Sequence, residues 1–89
     1  FGMFSGKEQT VRLRVANHLA GAILDRFGKD VFIVPDGEDH FTVSVDVVVS
    51  PQFFGWISGF GADAVVVAPD DVVDEMRSHI SAINEQYKI

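Results

Sequence analysis

Phe41, Val43, Val45, Val47 and Val49 occupy every second position of one run, with Thr42, Ser44, Asp46 and Val48 between them. A helix would scatter these side chains around its circumference, whereas a strand gathers the odd-numbered set on one face. The segment from about His40 to Val49 is therefore expected to be a strand with one buried side. A second alternation, Thr10-Val11-Arg12-Leu13-Arg14-Val15, places Val11, Leu13 and Val15 on one face and Thr10, Arg12 and Arg14 on the other. Two half-buried strands need a layer to cover them, and the remaining segments supply it.

Leu19, Ile23 and Phe27 recur at helical spacing after Asn17, a residue type suited to an N-cap. Gly28 stands where a helix ends in a positive-φ residue, so a first helix is expected over about His18–Phe27. Val31–Val34 is a short apolar run closed by Pro35 and Asp36-Gly37, which fits an edge strand leading into a turn. Ser50-Pro51 reads as an N-cap with proline at the first helical position. Phe53, Trp56, Ile57 and Phe60 then form a stripe that ends at Gly59 or Gly61. Ala64–Ala68 is apolar at every position and reads as a strand buried on both faces. Pro69-Asp70-Asp71 opens a last helix whose stripe is Val72, Val73, Met76, Ile80, Ile83 and Tyr87, its acids lying in the favourable first turn.

The order β-α-β-β-α-β-α defines an α+β domain. Two right-handed split βαβ units joined by a hairpin give a ferredoxin-like βαββαβ sandwich with an additional C-terminal helix. Its four-stranded antiparallel sheet would have the order 4-1-3-2, with two helices on one face. Residues 1–8 read as a lead-in left from a preceding domain, and 9–89 as the single domain. The start at Phe1 rather than Met also fits a piece of a longer polypeptide.

Bulk properties narrow the function. A formal net charge of −6 disfavours non-specific attachment to a phosphate backbone. The eight Phe, one Trp and many Val argue strongly against disorder, since burying them offsets the entropy of ordering the chain. No apolar stretch is long enough for a membrane span, no signal-peptide pattern occurs, and cysteine is absent. A cytoplasmic location is the expectation, with no membrane partner, disulfide or thiolate metal site.

If the helices cover Val11, Leu13, Val15 and the odd residues of 41–49, the other sheet face is left uncovered. Arg12 and Arg14 stand on it beside Thr42, Ser44, Asp46 and Val48, with Phe32 and Val34 or their neighbours from the edge. Arginines mixed with hydrophobes call for a cover, either the last helix or a partner. Asp46 is the nearest carboxylate for a structural pairing. The alternative is that Arg12, Arg14 and Asp46 contact a ligand or partner. Trp56 is either core or an interface anchor.

Other constellations do not amount to sites. His18, His40 and His79 lack metal-ligand spacing, and Asp70, Asp71, Asp74 and Glu75 are explained as helix N-terminal acids. Asp36-Gly37-Glu38-Asp39 is too short for a calcium loop. Ser5-Gly6-Lys7-Glu8 lacks the ends of a phosphate loop, and Gly55-Trp56-Ile57-Ser58-Gly59 has its serine misplaced for a nucleophile elbow. No catalytic residue, metal site or cofactor is expected, and the chain is expected not to be an enzyme.

Three pieces carry a family resemblance. Phe1-Gly-Met-Phe-Ser-Gly6 runs into Val11-Arg-Leu-Arg-Val15; Phe54-Gly-Trp-Ile-Ser-Gly-Phe-Gly61 precedes Ala64-Val-Val-Val-Ala-Pro69; and a helix runs from Asp71 to near Tyr87. The chain resembles, over nearly its full length, the C-terminal extension (WCX) domain that follows the WYL domain in bacterial helix-turn-helix transcription regulators. The resemblance implies a ferredoxin-like fold and a role in effector sensing and dimerisation. It also implies promoter DNA bound through an N-terminal helix-turn-helix, a homodimer, and a nucleic-acid or small-molecule effector. The family's best-known ligand residues belong to the WYL module, so none is carried over. A stand-alone small-molecule or nucleotide sensor, with Arg12 and Arg14 as anion contacts, is the competing reading.

Overall fold

A computed structural model describes residues 8–88. The expected lead-in over 1–7 lies outside the described residues, and Glu8 already belongs to the first strand. The strands are β1 (Glu8–Ala16), β2 (Phe32–Asp36), β3 (His40–Val48) and β4 (Ala64–Ala68). The helices are α1 (Ala20–Phe27), α2 (Pro51–Ser58) and α3 (Asp70–Gln86). All pairings are antiparallel and the sheet order is β2-β3-β1-β4, the same order as expected, read from the other edge.

The alternation works as elementary geometry demands. Val11, Leu13 and Val15 of β1 lie beside Val45, Val43 and Phe41 of β3, and all of these side chains are buried. Ile23 of α1, Phe53, Phe54 and Ile57 of α2, and Val72 and Met76 of α3 close over them in a single core. Each fully buried aliphatic here contributes roughly 1.5–3 kcal/mol relative to exposure. Phe54 lies outside the stripe expected for α2. It is buried because α3 flanks this helix, with the Phe54 and His79 rings 5.3 Å apart.

Local signals set the helix ends. Ser50 Oγ accepts a hydrogen bond from the Phe53 N–H at 3.2 Å, and Pro51 takes the first helical position. Gly28 closes α1 at φ +86°, its N–H donating to the Leu24 carbonyl at 2.8 Å. Asn17 departs from expectation. A 3₁₀ turn over Asn17–Leu19 precedes α1, so the helix starts at Ala20 rather than His18. The Asn17 side chain donates instead to the Glu38 carbonyl at 2.8 Å, and its backbone N–H donates to the Asp39 carbonyl at 2.9 Å. These bonds lash the β2–β3 turn to the end of β1, a tertiary demand that outweighs local capping.

Ala64–Ala68 also differs from the expected doubly buried strand. Ala64 and Val66 are buried, but Val65 and Val67 face outward because no helix covers the second side of the sheet. A register shift against β1 falls between Arg12 and Leu13.

Candidate functional site

The period of β1 makes the site. With Val11, Leu13 and Val15 committed to the core, Thr10, Arg12 and Arg14 must project from the opposite face. Antiparallel pairing sets two rows across that face: Phe32, Ser44 and Arg12, then Val34, Thr42, Arg14 and Val65. Val48 and Val67 extend its apolar part.

The last helix does not cover it. Val72 and Met76 of α3 enter the same core as α1 and α2, so all three helices lie on one side of the sheet. Phe32 is 76% exposed at the edge, and Arg12 is exposed on the central strand. The choice posed by the sequence, α3 or a partner over this face, is decided against α3.

The charged groups sort themselves in an unexpected way. Arg14 Nε donates to Asp36 Oδ2 at 2.8 Å, so the carboxylate partner comes from the end of β2, not from Asp46. Asp46 is aligned with Thr10 and accepts its hydroxyl hydrogen bond at 2.6 Å. Arg12, aligned with Ser44, has no hydrogen bond or ion pair among the described residues. The Arg14–Asp36 pair is exposed at both ends, so solvent screens it and no buried charge needs compensating. Arg12 thus offers a guanidinium whose planar donor fork is open for a carboxylate or phosphate.

Trp56 lies elsewhere. On α2 it packs edge-on against Phe27 of α1, with centroids 5.5 Å apart, and against Phe60 at 5.1 Å. The Arg26 guanidinium stands 5.6 Å from its ring. This cluster ties α1 to α2 in the helical layer, away from Arg12 and Arg14. Asp36, Val65 and Val67 are the members of the open face that the sequence reading missed. Asp36 was absorbed into a turn. The uncovered face expected opposite the helices was the available signal for the two valines.

The WCX domain family model matches residues 7–83, which takes in every strand and nearly all of α3. The chain belongs to the WCX domain family. Membership makes it a regulatory domain of the kind found in WYL-type transcription regulators. No curated protein and no solved structure matches the chain.

Two further features of this WCX domain bear on its chemistry. Among the described residues, no group of three His, Asp or Glu side chains is placed to hold a metal ion. No helix among them is long and apolar enough to cross a membrane. His18 and Asp63 meet at 3.1 Å, both exposed, and join the 3₁₀ turn before α1 to the residue before β4.

Proposed function

We propose that this WCX domain senses an effector and supports dimerisation within a WYL-type transcription regulator, and that it catalyses no reaction. Promoter DNA would be held by a helix-turn-helix domain of the same regulator, while this domain biases the assembly. The observation that carries the sensing role is the open sheet face, where Arg12 is exposed and unpaired among the described residues and Phe32 stands exposed in the same row, on the far side of Ser44. An open guanidinium and an exposed aromatic ring on one face, separated by one strand, match a ligand that combines an anionic group with a flat apolar one. A nucleotide or a short single strand has that chemistry, through its phosphate and its base.

The test is a fluorescence-anisotropy titration with labelled mononucleotides and short single-stranded oligonucleotides. Binding should weaken as salt rises, and Arg12→Ala should weaken it at least tenfold. Binding that ignores both salt and Arg12 would overturn the assignment of this face. No saturable binding of either ligand class by the intact regulator would overturn the sensing role for anionic ligands.

A further inference from the structure

The pairing of β1 with β3 sets Asp46 opposite Thr10 and Ser44 opposite Arg12, all on the open face. Asp46 is therefore one diagonal step from Arg12, a separation of about 7–8 Å between strands that a long side chain can span. Opposite charges favour that contact, yet it is not made. Asp46 Oδ1 accepts a hydrogen bond from the Thr10 hydroxyl at 2.6 Å, and Arg12 has no hydrogen bond or ion pair among the described residues. Thr10, Arg12 and Asp46 are all exposed, so burial does not impose this choice of partner. The short separation is that of a hydroxyl donating to an ionised carboxylate, stronger than a neutral hydrogen bond. Thr10 is β-branched, which restricts its rotamers and fixes where the hydroxyl points. The other aspartate of this face, Asp36, is taken by Arg14. Both aspartates are thus held by partners on β1, and Arg12 is the guanidinium left over.

We infer that Thr10 is a positioning residue of the open face: its hydroxyl holds the Asp46 carboxylate in its own row and so keeps Arg12 free for an incoming anion. Without that hydroxyl, Asp46 turns across the diagonal and becomes an internal competitor for the same guanidinium. With it, an arriving anion meets Arg12 without first displacing a carboxylate. The size of the effect is bounded by what an exposed ion pair can hold, a factor of about five at most. The inference rests on the anion-binding reading of this face and adds what keeps the site open.

Two measurements on the chain test it, one with a ligand and one without. In the first, a labelled nucleoside monophosphate is titrated by fluorescence anisotropy. Thr10→Val, which keeps the branch and removes the hydroxyl, should weaken binding about two- to fivefold. Thr10→Ser should recover most of that loss, and so should Asp46→Asn added to Thr10→Val. An affinity unchanged by Thr10→Val overturns the inference, as does a loss that Asp46→Asn fails to restore, since Thr10 would then touch the ligand itself. In the second measurement, nuclear magnetic resonance follows the Arg12 Nε–H group with no ligand present. Thr10→Val should slow its exchange with water at least twofold, and adding Asp46→Asn should reverse the change. An Arg12 signal indifferent to Thr10→Val overturns the inference whether or not a nucleotide binds. If the unsubstituted chain binds no nucleotide, the reading of the face as an anion site fails, and the ligand-free spectra alone decide the role of Thr10.

Discussion

Arg14 on β1 reaches Asp36 on β2 by crossing the whole width of β3, its Nε standing 2.8 Å from Oδ2. On β3, Arg14 is aligned with Thr42 and Asp36 with His40, so the bridge runs diagonally from one row to the next. Its length and exposure decide its worth. Both side chains keep more than a third of their surface in water, so screening and side-chain entropy offset most of the attraction.

The coupling between these two residues should be small. A double-mutant cycle with Arg14→Ala and Asp36→Ala, read by urea denaturation, should give about 0.2–1 kcal/mol. A coupling several-fold larger would show that the pair is shielded from water.

Leu13 is fully buried at the centre of β1, between the sheet and all three helices. Leu13→Ala should destabilise the domain by about 2–5 kcal/mol in the same assay, a large share of the stability of a domain this size. Arg12→Ala, one residue away on the other face, should stay within about 0.5 kcal/mol of the unsubstituted chain. The contrast between neighbours measures how completely the two faces differ.

Gly28 isolates a backbone effect. Its φ is +86° and ψ 176°, yet a Cβ placed there would meet nothing within 4 Å. Gly28→Ala should therefore cost about 1–3 kcal/mol from the dihedral alone, with the helix α1 intact by circular dichroism. A neutral result would mean that the chain relaxes at this junction.

Ser50 should behave as a cap. Ser50→Ala should lose about 1 kcal/mol and Ser50→Asp should retain most of the stability, both measured by thermal or chemical unfolding. Equal losses in the two variants would assign the effect to the near-complete burial of the serine rather than to its bond with Phe53.

Much of the fold was legible because period and burial coincide. The alternation of Val11, Leu13, Val15 and of Phe41 to Val49 needed only a strand's geometry, and Ser50-Pro51 and Gly28 needed only local chemistry. The misreadings have a common physical origin. Asn17 gave up capping to hold Glu38 and Asp39, and Val65 and Val67 stayed exposed because all three helices gather on the other face of the sheet. Phe54 was buried by α3. Each depends on which element arrives from elsewhere in the chain, and spacing along a single segment carries no record of that.

The site was legible to the same depth. Arg12 and Arg14 were placed on the open face by the parity of their positions alone. Their partners were not, because Asp46 sits opposite Thr10 rather than Arg12, and the closest ion pair skips a strand. Register along a pair of strands follows from the pattern, whereas contacts two strands apart depend on side-chain reach.

The parity of β1 has a consequence for how such a domain changes over time. From Thr10 to Val15, odd positions in this strand hold the fold and even positions hold the surface, so the two can be rewritten independently. A lineage, or an experimenter, can exchange Arg12 or Arg14 for other polar residues without disturbing Leu13. A single strand in the middle of the sheet therefore serves as a replaceable lettering strip on a fixed backing.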